Sequence, residues 1–206
     1  MTLRERAAAF NGSFARWPAS HLAVTREADG DVVYGRWLLG NDYQNRTEFY
    51  GAFPPGLLSR IMAIFPDAYR ADDTTARILH VFSGSLPPGR YWRCDLRQPA
   101  EYQCSVYDLP RELLPRHRIE PFRLVIADPP YSKADAARYQ TPMIDRRRAV
   151  AALAEVTAAA GFLVWLDTCW PMHQKRQWIT VGRIAITRST NHRVRDLTIF
   201  ERRGLA

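Results

Sequence analysis

The chain is short of the features that mark a disulfide-built, zinc-built or membrane-spanning protein. Its 206 residues hold three cysteines, Cys94, Cys104 and Cys169, an odd number without the paired spacing of a disulfide framework or a zinc site. The five histidines are scattered, so no metal centre is predicted. Even with the three alanines before it, the apolar run Gly161 to Leu166 is far too short to span a bilayer. Met1-Thr2-Leu3-Arg4-Glu5-Arg6 lacks the apolar core of a signal peptide. No internal repeat or low-complexity linker is present. These absences predict a reduced, cytoplasmic protein without a structural metal or a membrane partner. Apolar residues make up 47% and charged ones 24%, the balance of an ordinary globular chain, and the length predicts one domain, 1–206, that buries its own core.

Acidic charge is the other shortage. Twenty-one acids face 29 lysines and arginines, a net charge of 29 − 21 = +8. From Pro171 to Ala206 there are eight basic residues (Lys175, Arg176, Arg183, Arg188, Arg193, Arg195, Arg202, Arg203) against Asp196 and Glu201, so +6 of the +8 lies in the last 36 residues. Such a concentration is what a polyanion-binding surface needs; the plain alternative is a solvated basic surface. The localisation favours a nucleic-acid partner.

What is present alternates strand and helix. Leu22-Ala23-Val24-Thr25 and Val32 to Leu39 flank Ala28-Asp29-Gly30-Asp31, which predicts a hairpin with an Asp-Gly turn. Gly40 to Asn45 follows as a polar loop with one aromatic, Tyr43, either a cover for a ligand or a surface connection. Pro54-Pro55 is a rigid approach to a helix in which Leu57, Leu58, Ile61, Met62 and Phe65 recur at helical spacing, and Pro66-Asp67 ends it. Ile78 to Phe82 is an apolar strand running into the small-residue turn Ser83-Gly84-Ser85, and Arg90 to Cys94 is a strand ending in Asp95. Only ten residues separate Gly84 from Asp95, where a helical crossover to such an acid takes about 20. The first crossover helix is therefore expected to be shortened or missing. Tyr102 to Pro110 reads as a third short strand and loop, Lys133 to Asp145 as a polar loop, and Arg146 to Ala160 as a helix terminated by Gly161. Phe162 to Asp167 is a buried strand whose last residue is either a site acid or a turn acid. Trp178 to Thr187 and Val194 to Phe200 form a closing antiparallel hairpin with a basic tip, either a phosphate contact or a solvated turn. The alternation predicts an α/β fold with a mainly parallel sheet.

The chemistry concentrates in Phe122 to Ser132. Leu124-Val125-Ile126-Ala127 is a short apolar run of the kind that makes a buried strand, and it stops at Asp128-Pro129-Pro130. Neither proline can donate to a ladder and each fixes its own φ, so the chain leaves the sheet in one rigid direction. An acid, two backbone carbonyls and a flat aromatic, Tyr131, then stand at the strand end where open α/β sheets bind ligands. An exocyclic amine on a nucleobase is a poor nucleophile because its lone pair is delocalised into the ring. Acceptors that hold the amine hydrogens turn that lone pair toward an electrophile. The Asp128 carboxylate and the Pro129 carbonyl supply two such acceptors with little freedom to reorganise. Tyr131 offers a face on which a planar base stacks. The plain alternative is a strand-ending turn, for which Asp and Pro are ordinary residues.

The Asp128-Pro129-Pro130-Tyr131 segment resembles the catalytic motif of the S-adenosylmethionine-dependent amino-methyltransferases, which act on adenine N6, cytosine N4 or, in RNA relatives, guanine N2. The likeness covers residues 49 to about 202, with 1–50 as an N-terminal extension and 51–206 as a methyltransferase-like, Rossmann-like core. It implies S-adenosylmethionine as cofactor and catalytic roles for Asp128, Pro129, Pro130 and Tyr131. It implies a pocket lined by Phe53 and Pro54 and a loop, Phe82-Ser83-Gly84-Ser85, in the place of the family's Phe-x-Gly-x-Gly. Leu86 replaces the second glycine there, and His80 stands where relatives often have an acid. Asp95 would hold ribose hydroxyls. Asp108 would meet the adenine amine of the cofactor, or alternatively cap the helix after it. Lys133, Arg188, His192, Arg193 and Arg195 are the expected nucleic-acid contacts. The activity implied is methylation of adenine N6 in DNA, with an RNA base amine or a catalytically silent nucleic-acid-binding protein as the alternatives.

Overall fold

A computed structural model describes residues 1–40, 53–69, 77–116, 121–189 and 193–204. The polar loop after Gly40, apart from Gly40 itself, lies outside these residues, as does His192. Eight strands form one sheet: β1 (Ala23–Glu27), β2 (Gly30–Leu39), β3 (Ile78–Val81), β4 (Trp92–Cys94), β5 (Phe122–Ala127), β6 (Thr157–Asp167), β7 (Trp178–Arg188) and β8 (Arg195–Arg202), in the spatial order β1-β2-β7-β8-β6-β5-β3-β4. The pairs β2–β7, β3–β4, β3–β5 and β5–β6 are parallel; β1–β2, β6–β8 and β7–β8 are antiparallel. The architecture is α/β with a mixed, mostly parallel sheet. Among the described residues no helix is long and apolar enough to cross a membrane.

Alternation along the strands sends side chains to two cores, one on each face. On β5, Leu124 and Ile126 enter one core while Val125 and Ala127 enter the other, and all four are buried. The first face is covered by α1 (Leu3–Ser13) and α2 (Leu57–Ile64). Helix α1 starts from a capping box in which Thr2 Oγ1 accepts from the Glu5 amide while Glu5 accepts from the Thr2 amide. The second face is covered by α3 (Leu109–Arg116) and α5 (Arg146–Val156), the latter burying Val150 and Leu153. A burial of this kind stabilises by roughly 1.5–3 kcal/mol per large aliphatic side chain.

Several sequence expectations need correction. Residues 102–107 form no strand; Tyr102 makes only an isolated parallel bridge to Cys94. The stretch expected as a polar loop contains a short helix, α4 (Lys133–Arg138), capped by Ser132 Oγ accepting from the Asp135 amide at 3.1 Å. Helix α5 ends at Val156, not at Gly161, and β6 begins at once. Gly161 instead sits in a bulge opposite β5, where a Cβ would lie 2.9 Å from the Ala158 carbonyl oxygen and 3.1 Å from those of Phe122 and Arg123. Only a residue without a side chain lets those backbones close. The hairpin at Asp29-Gly30 stands as expected, yet it is no mere extension: β2 joins β7 over seven paired residues. The ten residues from Phe82 to Tyr91 between β3 and β4 carry no helix, in line with the short spacing.

Candidate functional site

The sheet order reverses at β3, with β4 on one side and β5 on the other. Ligands of open α/β sheets bind outside the carboxyl ends of strands at such a point. A cleft of about 840 Å³ opens there, lined by the ends of β3, β4 and β5, by Phe53 and Pro54, and by Tyr107, Tyr139 and five arginines. That volume is toward the upper end of the roughly 300–1,000 Å³ of small-molecule sites.

The floor is the corner after β5. The Tyr131 hydroxyl donates to Asp128 Oδ1 at 2.5 Å. Burial pushes the Asp128 carboxyl up to about 7, against the pull of that hydrogen bond and of the Arg195 and Arg188 charges, while Asp167 adds to the rise. Burial first, and the neighbouring Asp128 second, hold the Tyr131 phenol far above its ordinary range, so it stays protonated and keeps donating. The second oxygen of Asp128 and the Pro129 carbonyl receive no donor among the described residues. One end of the floor thus presents two acceptors at a fixed spacing, as the two prolines require.

The corner is braced from behind. Arg146, the first residue of α5, reaches Asp167 at the end of β6 through Nε (2.7 Å) and Nη2 (3.1 Å), and the same Nη2 donates to the Tyr131 carbonyl at 3.0 Å. Asp167 is fully buried and also accepts from Trp165 Nε1 and the Thr168 amide. A buried carboxylate is tolerated only with partners of this quality. Asp167 is therefore neither a ligand contact nor a simple turn acid but a positioning residue, and Arg146, which carries its effect to Tyr131, has no local sequence signature.

The opposite wall is built from loop. Asp95 Oδ2 accepts from the Gly84 amide at 2.9 Å, and Oδ1 accepts from the Arg97 and Gln98 amides at 2.8 Å each. A carboxylate has about four acceptor positions, so one remains on Asp95 for a hydroxyl. Gly84 takes φ +52° and Phe82 φ +58°, which bends the chain away from β3 and brings backbone to the cleft. Leu86 in the place of a glycine closes this turn, its amide donating to the Ser83 carbonyl. Phe53 and Pro54 line the cleft as expected, Phe53 standing edge-on to the buried His80. Desolvation holds His80 down to about 4, a neutral core histidine.

Not every expected residue arrives. Phe82, Gly84 and Asp95 line the cleft; Ser83 is buried beneath it and Ser85 turns aside. Asp108 is exposed just before α3 and lies off the cleft. Ser105 and Tyr107 take that part of the wall instead, with Tyr107 held between the Asp145 amide and the Arg148 guanidinium. Lys133 is exposed on α4 and does not reach the cleft; Asp135 and Arg138 of the same helix do. Sequence spacing also gave no hint that Cys94 and Cys104 meet, with sulfurs 4.0 Å apart and both on the wall.

The basic hairpin is the largest change of place. Arg188, Arg193 and Arg195 do not crown an outward tip; all three line the cleft. The Arg195 guanidinium lies 4.9 Å from the centre of the Tyr131 ring and that of Arg193 5.9 Å. Attraction to the ring is worth about 0.5–2 kcal/mol. The described residues contain no group of three or more His, Cys, Asp or Glu placed to hold a metal ion. In chemical terms the cleft offers fixed acceptors for N–H groups, flat aromatic surface, one spare hydroxyl acceptor and positive charge. Set against protein-family models, curated proteins and solved structures, the chain matches none of them.

Proposed function

We propose that the chain is an S-adenosylmethionine-dependent methyltransferase acting on an exocyclic amine of a nucleobase, with adenine N6 in DNA as the first choice. The observation that carries this reading is the Asp128–Tyr131 corner, where a carboxylate oxygen and a proline carbonyl stand without donors among the described residues on the floor of a cleft at the sheet's switch point. The sheet supports it too, since the methyltransferase-like fold is α/β and ends on an antiparallel pair, as β7 and β8 do here. The cofactor fits the β3–β4 wall on one count: Asp95 keeps an acceptor for a ribose hydroxyl beside exposed backbone at Gly84. Phe53, Phe82 and Gly84 would complete its surroundings. When bound, S-adenosylmethionine supplies a methyl group on a positively charged sulfur.

The chain's own residues do the rest. Asp128 and the Pro129 carbonyl accept the two amine hydrogens and so turn the nitrogen lone pair out of the ring plane. Tyr131 keeps Asp128 oriented through its hydroxyl, and Arg146 holds the Tyr131 carbonyl in place. The amine must shed a proton once alkylated, and Asp128, held up to about 7, takes it on the oxygen that Tyr131 leaves free. In duplex DNA the base would be flipped out at roughly a few kcal/mol in unstacking. The free cysteines suit the reduced cytoplasm.

Nucleosides from DNA and from RNA of cells expressing the protein, analysed by mass spectrometry, test the assignment. A new N-methylated nucleoside should appear and should fall by about 100-fold or more with Asp128→Ala; its persistence in the variant rejects the mechanism, and its appearance only in RNA moves the substrate. One observation favours a second reading, binding without catalysis: three of the acceptor positions of Asp95 are taken by its own loop. Calorimetric titration with S-adenosylmethionine decides, because a silent relative with a closed cofactor wall gives no heat.

A further inference from the structure

The arginines of the β7–β8 hairpin are misplaced for a general basic surface. Among the described residues neither Arg195 nor Arg188 makes a hydrogen bond or a close ion pair, and Arg195 lies over the Tyr131 ring. The Nε of each is buried without a partner. An unpartnered guanidinium nitrogen away from water is costly; Asp128 attracts both charges, but among the described residues no acid hydrogen-bonds either guanidinium. Asp128 is tied to Tyr131, Asp167 to Arg146 and Asp135 to Ser132. Asp196 alternates to the other side of β8 from Arg195. Register explains why the two arginines share a face. Arg195 lies opposite Ile186, and Arg188 is two residues beyond Ile186, so both side chains leave the same face of the hairpin. Like charges set close across strands repel. An anion between them removes both penalties.

We propose that Arg188 and Arg195 form a phosphate subsite, holding the phosphate of the nucleotide whose base lies against Tyr131. The inference rests on the reading of the site as a nucleobase pocket and deepens it: the substrate is gripped inside the cleft by its own phosphate. Two features select phosphate on the substrate side over the carboxylate of the cofactor. The fork of a guanidinium matches phosphate oxygens in pairs. In the sheet order, Arg188 and Arg195 stand on the β6 side of Asp128, whereas Asp95 and the turn at Gly84 stand on the β3 side. The anion therefore belongs to the ligand that Tyr131 meets, and Arg195, already 4.9 Å from that ring, is within a nucleotide's span of the base.

The test is binding, measured by calorimetry on the full chain, of deoxyadenosine, deoxyadenosine 5′-monophosphate, a single-stranded DNA tetranucleotide with one adenine, and inorganic pyrophosphate. Wild type is compared with Arg188→Gln, Arg195→Gln, the double variant and Arg176→Gln, whose side chain lies away from the cleft. Phosphate-bearing probes should bind wild type roughly 10- to 100-fold tighter than deoxyadenosine. The double variant should erase that preference while deoxyadenosine affinity stays within about twofold. The larger loss, on the monophosphate or on the tetranucleotide, tells a terminal phosphate from a phosphodiester. Thermal unfolding guards against misfolding: removal of two unpaired guanidiniums should leave the midpoint unchanged or raise it, and a clear drop would mean structural partners and overturn the proposal. A preference that survives in the double variant overturns it as well, as does an equal loss of S-adenosylmethionine affinity. If no adenine compound binds but pyrophosphate binds wild type and not the double variant, the anion subsite stands and the nucleobase reading falls.

Discussion

The two sides of Asp128 are built by different means. On the β6 side, the reactive corner is backed by a fully buried carboxylate and a guanidinium that links α5, β6 and the Tyr131 carbonyl in one stroke. On the β3 side, a connection of ten residues without a helix is tied together by one carboxylate and backbone amides. The first arrangement fixes acceptors to within the freedom of a proline ring, as transfer chemistry needs. The second can be rebuilt by small changes in the loop. The lesson is that the Asp128 corner and the β3-side loop are separable here, and that a connection without a helix bears on the second alone.

Breaking the braced side should cost most. Arg146→Ala leaves Asp167 buried without its charge partner, and equilibrium denaturation should show a loss of about 3–5 kcal/mol; a loss under about 1 kcal/mol would mean that the brace is ornamental. Asp128→Asn should act in the opposite sense. The folded-state pKa of Asp128 is raised to about 7 from an ordinary 3.8, so its contribution to stability is present below about pH 4 and is lost as the pH rises through 7. Asparagine does not ionise. The variant should therefore match wild type near pH 4 and exceed it above pH 7 by on the order of 2–4 kcal/mol, and the transfer proposed above should quicken with pH up to about 7. A stability difference independent of pH would refute the burial of that charge. The smallest effect belongs to the loop side: Asp95→Ala should cost about 1–2 kcal/mol and speed amide hydrogen exchange at Gly84, Arg97 and Gln98, leaving β5 protected. Exchange that quickens equally in β5 would erase the distinction between the two sides.

Which parts could be read from the chain follows from the range of the forces involved. The strands β5, β7 and β8, the second half of β6 and helix α2 carry their patterns within a few residues, and they form where periodicity and prolines put them. The corner at Asp128-Pro129-Pro130-Tyr131 is legible for the same reason, since its geometry is set by adjacent residues. Helix α4 escaped because six mostly polar or small residues give no apolar stripe, and its cap, Ser132, reads equally as a turn. Gly161 misled, because a glycine that lets three carbonyls approach looks the same in sequence as one that ends a helix. The brace was invisible: Arg146 and Asp167 are 21 positions apart and nothing in either neighbourhood specifies the other. The hairpin arginines were visible as charge, but their direction depends on the register of β7 against β8, which a single chain read in one dimension does not reveal.

The alliance of β2 with β7 sets a timetable for assembly. Val33 lies against Gly182, so about 150 positions must be strung out before this parallel pair can close. Until the ribosome has released β7, near the end of the chain, the opening hairpin has only its own partner strand, and Trp37, later sealed from solvent, has an incomplete bed to lie in. Nascent chains stalled before Trp178 should thus leave the first forty residues open to proteases and ready for chaperones, a debt that the final two strands cancel together.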